Sequence, residues 1–289
     1  MNFLLDAIVF LFGLTVGSFL NVCVFRMPRG ESIVLPRSFC PRCRESIAWF
    51  DNVPLLSFLL LRGKCRRCGS SISPRYPLVE LTTGLLFVAV HFFVLSARLR
   101  LFRETGIVLP LSLIPFFWYF AASLLALSVI DWEHYILPER LTYPLLAVGL
   151  GLAALVPDHF VLFQWSRPGP GPWSLWPSLR HSLFGLLAGG ASLWAIRVLG
   201  KAALKKEAMG MGDVMMMAAV GACLGWPMAL LSIFLGALFA AVVGISLIVA
   251  RRAQWGSKIP FGPYLALGSL LCLFWGKAIL VWYLGWYVK

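Results

Sequence analysis

The sequence predicts an all-α membrane protein of about eight transmembrane helices with one small cytosolic zinc-knuckle loop domain. Three observations lead there. Hydrophobic residues make up 60% of the chain and charged residues only 13%, about half the charged share of an ordinary soluble domain. Apolar runs of roughly 20 residues, each enough to cross a bilayer as a helix, recur along the whole length. Most of the charges gather between those runs rather than within them.

In order, the runs fall at about 3–25, 77–97, 107–130, 141–160, 179–199, 213–226, 228–250 and 260–287. Backbone groups in hydrocarbon find no water, so each run is read as a helix. The sixth is short and the eighth long, so their ends are the least defined. No Lys or Arg precedes the first run, Asp6 lies near its start, and no small-residue cleavage pattern follows. It is therefore read as a retained helix rather than a signal peptide. Its positive charges come after it, which favours an outside amino terminus. With that parity most of the 25 basic residues fall inside, from Arg26 to Arg75 and then at Arg140, Arg197, Lys201, Lys205, Lys206, Arg251, Arg252 and Lys258. A positive-inside distribution accounts for the net charge of +13. No nucleic-acid partner is expected, because the aromatic residues lie in the apolar spans instead of alternating with the basic ones.

The organisation follows. Residues 1–25 form the first transmembrane helix, 26–76 a cytosolic loop domain, and 77–289 a core of about seven further helices. The longest outside connection, about 157–178, contains Arg167-Pro168-Gly169-Pro170-Gly171-Pro172-Trp173, which cannot continue a helix. Trp165, Trp173 and Trp176 around it suit an interfacial aromatic belt. No internal repeat suggests a transporter built from two related halves.

Within the loop, Cys40-Pro41-Arg42-Cys43 and Cys65-Arg66-Arg67-Cys68 form two C-x-x-C pairs. Each can turn two thiolates toward one point, and two such knuckles make a closed, structural four-cysteine zinc site. The flanking Arg42, Arg44, Lys64, Arg66 and Arg67 would offset the negative charge of zinc held by four thiolates. Disulfide or redox chemistry is the competing reading, and a reducing cytosol disfavours it; unrelated thiols are the third. Cys23, Cys223 and Cys272 lie in apolar runs and read as packing residues.

Two aspartates stand where an apolar run meets a polar loop: Asp131 in Ile130-Asp131-Trp132, and Asp213 in Gly210-Met211-Gly212-Asp213. A carboxylate at a membrane boundary is a functional hypothesis by default. Parity puts both at the inner face, where a pair could share a proton, one activating water and the other protonating the scissile carbonyl oxygen or leaving amine. Gly210 and Gly212 would permit a tight turn and let a substrate backbone approach Asp213. The alternatives are a helix cap at Asp213 with an interfacial helix end at Asp131, or ion coordination in a transporter. Glu133 and Glu139 are read as solvated.

The chain resembles the bacterial type IV prepilin peptidases, bifunctional leader peptidases and N-methyltransferases of the GxGD type. The residues that carry the likeness run over nearly the whole length. They are Gly17-Ser18-Phe19-Leu20-Asn21-Val22 with Arg26 and Pro28, the paired C-x-x-C loop, and Asn52-Val53-Pro54-Leu55-Leu56-Ser57. Arg62-Gly63-Lys64-Cys65, Arg75-Tyr76-Pro77-Leu78-Val79-Glu80, Ile130-Asp131, Gly210–Asp213 and Pro260-Phe261-Gly262-Pro263 complete them. The resemblance implies a multi-pass protein of the bacterial inner membrane with catalytic Asp131 and Asp213 facing the cytosol. It implies prepilin or pseudopilin substrates, of type IV pili or type II secretion, cut after the glycine of a short basic leader. It further implies methylation of the new amino terminus with S-adenosylmethionine, held near the cysteine loop with Gly63 and Glu80 as candidate binding residues. Glu139 and Met215 depart from the family pattern, which has Asp after Pro138 and often Lys after Gly-x-Gly-Asp-Val. Those changes bear on substrate fit rather than chemistry. A peptidase without methyl transfer and a zinc-stabilised membrane scaffold or transporter are the rival functions.

Overall fold

The computed structural model describes residues 3–163, 175–205, 209–252, 254 and 258–285. The Pro/Gly run with Trp165 and Trp173 therefore lies outside the described residues. Among those described there is no strand, and the long helices match the apolar runs one for one. They are α1 (Phe3–Arg26), α3 (Arg75–Thr105), α4 (Leu113–His134), α5 (Glu139–Leu155), α6 (Leu175–Leu204), α7 (Met211–Leu224), α8 (Trp226–Val249) and α9 (Gly262–Gly285), with a short α2 (Leu56–Leu60) in the loop. Six of them, α1, α3, α4, α6, α8 and α9, are long and apolar enough to cross a membrane. The protein is a multi-pass membrane protein. The other two, α5 and α7, have 17 and 14 residues.

Local chemistry sets the helix ends. Pro28 follows α1 in a 3-10 turn that closes on Gly30, whose φ of 69° is left-handed. Tyr135 adopts φ 56° after α4 and donates its N–H to the Asp131 carbonyl at 2.9 Å. Pro138 caps α5 and removes a donor that would have gone unused there. The break between α7 and α8 is one residue, Gly225, at φ 85° and followed by Pro227. His181 Nε2 would lie 2.4 Å from a β-carbon at Gly225, so both the turn and the neighbouring ring require glycine.

The chain divides into two compact units. The first runs through Phe92 and adds Phe117–Ala126; the second takes Phe93–Phe116 and the described residues from Leu127 on. In the first, α1 meets α3 at backbone distance: a methyl on Gly17 would sit 2.7 Å from the Glu80 Cα, and one on Gly13 2.8 Å from the Gly84 Cα. Trp118 stacks on Phe87 at 4.9 Å and donates its indole N–H to the Phe87 carbonyl. In the second, α6 and α7 pack through Gly185 and Gly221. A methyl on Gly221 would fall 1.9 Å from the Gly185 oxygen, and Ser182 donates across the same seam to the Ala222 carbonyl. Lipid tails give helices no hydrophobic reason to associate, so close backbone packing at small residues supplies the attraction.

Candidate active site and metal centre

Asp131 occupies the last turn of α4, which runs to His134, four residues past the predicted end at 130, and it is only 6% exposed. Its Oδ2 accepts the Gly262 N–H at 2.8 Å, from the first residue of α9. Asp213 is the third residue of α7, is 8% exposed, and accepts the N–H of Gly210 at 3.2 Å. Asp213 is not the N-cap residue weighed from the sequence, since Gly210 holds that position; it braces the helix start from the third helical position with one oxygen. That bond leaves the carboxylate with acceptor capacity to spare. Both aspartates belong to the second unit and lie near enough for their charges to interact. Glu133 and Glu139 are exposed.

Gly262 and Gly212 fit this arrangement tightly. A β-carbon at Gly262 would meet Asp131 Oδ2 at 2.8 Å, so only glycine lets the N–H come this close to the carboxylate. Gly212 has a different neighbour from the one expected. Its open face is filled by Leu137, whose Cβ would lie 2.6 Å from an added methyl; the α4–α5 loop, rather than a substrate backbone, makes this approach. Gly210 sits at φ −74° and ψ 156°, extended backbone open to any residue.

In the first unit the four sulfurs of Cys40, Cys43, Cys65 and Cys68 lie within 4.8 Å of one another, and all seven cysteines are free of disulfides. Cys40 Sγ and Cys68 Sγ are 3.9 Å apart. A tetrahedron with zinc–sulfur bonds near 2.3 Å has edges of about 3.8 Å, so the cluster has the size a four-thiolate metal site requires. Two like turns build it. Cys40 N–H bonds Glu45 O and Arg44 N–H bonds Cys40 O; in the second, Cys65 N–H bonds Ser70 O and Gly69 N–H bonds Cys65 O. Each ends on a left-handed residue, Arg44 at φ 58° and Gly69 at φ 67°. Burial opposes the Cys40 thiolate, but the Cys43 and Arg42 N–H groups and the thiols of Cys43 and Cys65 outweigh it and draw its pKa down to about 6. Arg66 grips Asp51 with a two-pronged pair, 2.6 Å at the shortest, which holds that carboxyl below the usual range.

Glu80 is buried in α3, where its Oε2 accepts the Leu55 N–H at 2.8 Å and the Ser18 hydroxyl lies beside it. Gly63 stands at φ 66° under the Phe58 ring, receiving no side chain and donating to the Phe58 carbonyl. A cleft of about 310 Å³ opens nearby, lined by Ser18, Phe19, Val22, Arg37, Ser38 and Asn52 among others, with Arg26 in its wall. Gly63 and Glu80 are not among its lining residues; Ser18 links Glu80 to it. Arg26, itself 4% exposed, donates to the carbonyls of Ser32, Pro36 and Arg37 and so fastens the 32–37 segment to the end of α1. The sequence pointed to Arg26 only as part of a resemblance, and gave no sign that Gly262 would bond Asp131.

A polytopic helical protein with two buried carboxylates at helix ends and a four-thiol cluster defines a class, the membrane-embedded aspartate proteins with a four-cysteine loop. Residues 11–94 match the bacterial peptidase A24 N-terminal domain, and residues 118–245 match the type IV leader peptidase family. A protein of Pseudomonas aeruginosa named prepilin leader peptidase/N-methyltransferase is 38% identical over 299 residues, covering 95% of this chain and 91% of its own. Proteins of that name from Aeromonas hydrophila (37% over 307 residues; 96% and 93%) and Myxococcus xanthus (39% over 243 residues; 84% and 63%) are similarly related. No solved structure matches. The chain belongs to the type IV leader peptidase family and is an enzyme, a prepilin-type peptidase of the kind paired with N-methyltransferase activity.

Proposed function

We propose that this protein cuts the basic leader from type IV prepilins or pseudopilins at the cytosolic face of the bacterial inner membrane, with Asp131 and Asp213 as its catalytic pair, and then methylates the amine it has exposed. The observation that carries the peptidase half is the pair itself. Two buried carboxylates in one helical unit, near enough to interact and each oriented by a backbone N–H, have the features of an acid/base dyad. Two such groups share a proton more cheaply than both ionise. One carboxylate takes a proton from water as the oxygen attacks the scissile carbonyl, while the other gives its proton to the carbonyl oxygen; the first then passes its proton to the nitrogen as the C–N bond breaks and the amine leaves, and the second recovers its own as the carbonyl re-forms. Gly262 N–H and Gly210 N–H hold the two side chains in place throughout.

The four cysteines suit zinc by donor type and spacing, with no open position, so the metal would brace residues 26–76 as a small domain beside the first helix (1–25) and the peptidase core (77–289). S-adenosylmethionine would supply the methyl group. The cleft beside Ser18 supports placing it there. Arg26 and Arg37 offer positive charge for a carboxylate, Phe19 an aromatic face, and Glu80, through Ser18, a negative counterpart to a sulfonium. Gly63 is a turn residue beside the second knuckle and would act by shaping the loop.

Co-expression with a prepilin and mass measurement of its amino terminus tests this reading. The expected product lacks the leader and carries one added methyl. A cleaved, unmethylated terminus would leave a peptidase alone, and an intact leader would leave the scaffold or transporter reading.

A further inference from the structure

The cysteine loop carries an apolar face that nothing described in the protein covers. Trp49 is 82% exposed, Leu59 70% and Leu60 72%, with Phe50 and Leu56 about half exposed. They fall in two adjoining groups. Leu56, Leu59 and Leu60 stand at i, i+3 and i+4 of α2, hence on one side of it, while Ser57 on the other side is buried and donates to the Phe50 carbonyl. That bond fixes the Trp49–Asn52 turn against α2, and the Trp49 and Phe50 rings meet edge to face at 5.7 Å. Basic residues lie close by in the chain: Arg62 comes just past Leu61, which caps the end of α2, Lys64 comes two residues later, and Arg66, paired with Asp51, lies over the Phe50 ring at 5.5 Å.

We infer that this face, Trp49 and Phe50 with Leu56, Leu59 and Leu60, lies in the anionic lipid surface of the membrane, so that the metal-knuckle domain is seated on the bilayer. The occupant follows from connection and charge. Within the first unit, the loop begins where one candidate span ends, at Arg29, and finishes where the next starts, at Arg75. Both ends of the loop are therefore tied to the membrane boundary, and an apolar face on so tethered a domain meets lipid before any diffusing partner. An aromatic and leucine face with Arg and Lys close by in the chain has the composition of an interfacial helix surface, apolar groups sinking below the headgroups and cations engaging them. Seating would hold the cysteine loop and the cleft close to the depth at which a membrane-anchored substrate presents its amino terminus.

The test uses the full, zinc-loaded chain in vesicles of phosphatidylethanolamine and phosphatidylglycerol, with photoreactive benzoylphenylalanine replacing Leu59 or Leu60 in turn. Both side chains are exposed, so the substitutions leave packing intact. Irradiation should give phospholipid adducts at both positions, unchanged when a prepilin is added to the same vesicles. Replacing the anionic lipid by phosphatidylcholine should lower adduct yield by roughly fivefold for each basic residue whose attraction to the surface is lost, hence by more than about tenfold for Arg62 and Lys64 together. Adducts to prepilin or to a second copy in place of lipid would overturn the inference, as would the absence of adducts in protein that remains inserted and zinc-loaded. Because the readout is lipid contact, it stands apart from cleavage and methylation, whose failure would strike the functional reading instead.

Discussion

Adding one methyl group at Gly262 is the sharpest way to disturb the proposed dyad without touching either aspartate. The new β-carbon would stand 2.8 Å from Asp131 Oδ2, 3.1 Å from its Cγ and 3.2 Å from its Cβ, where ordinary contact begins near 3.4 Å. The carboxylate or the start of α9 must therefore retreat by about 0.6 Å, which lengthens the 2.8 Å bond from the Gly262 N–H and misplaces the acid/base group. A misplacement near an angstrom costs roughly 100-fold in rate, so Gly262→Ala should lose between about tenfold and about 100-fold in kcat. KM for prepilin should hold, because no group that binds substrate is altered. The backbone at Gly262 is not left-handed, since the positive-φ glycines are Gly30, Gly63, Gly69, Gly106 and Gly225, so alanine strains only this contact. The assay is leader cleavage by purified enzyme in proteoliposomes, beside methylation of a pre-cleaved peptide, which should be unchanged. Cleavage within twofold of the parent would refute the claim that the Gly262 N–H positions Asp131.

Gly221→Ala should separate α6 from α7, because its methyl would fall 1.9 Å from the Gly185 oxygen, whereas Gly151→Ala, with nothing within 4 Å, should be neutral; overpacking of about 1–3 kcal/mol or more should appear as a lower Tm in detergent for the first alone. Arg44→Gly should relieve a left-handed residue, φ 58°, by about 1 kcal/mol and lengthen the survival of the loop in chelator, and Gly69→Ala should shorten it by a similar margin. Purified protein should hold about one zinc per chain, and Cys40→Ser with Cys65→Ser should release it, reducing methylation at least as much as cleavage; metal analysis and product mass read both effects.

Much of the fold was legible because two strong patterns wrote it. An apolar run of bilayer length has few options other than a helix, and paired C-x-x-C motifs bring their own turns. Helix ends were less legible. α3 continues to Thr105, eight residues past the predicted 97, because Arg98, Arg100 and Arg103 end an apolar run without ending a helix. α4 continues through Asp131 to His134 and stops only where Tyr135 turns left-handed, so the aspartate is a residue of the last turn rather than of the loop. The site's support was hidden for another reason. The bond from Gly262 to Asp131 joins positions 131 residues apart, and Leu137 filling the space at Gly212 is a packing event; neither leaves a local signature. The exposed face of α2 was invisible because five residues are too few to show a period.

The central claim, that Asp131 and Asp213 act together as the peptidase dyad, is met most directly by the two isosteric variants. Asp131→Asn and Asp213→Asn, each co-expressed with a prepilin, should leave its leader uncut by mass measurement, with the enzyme still inserted, zinc-loaded and able to methylate a pre-cleaved peptide. Asparagine can still accept the Gly262 or Gly210 N–H, so the caps survive while proton exchange does not. Because the pair works as a unit, each single change should cost nearly as much as both. Substantial leader cleavage by either variant would contradict the account and return the aspartates to the role of helix ends.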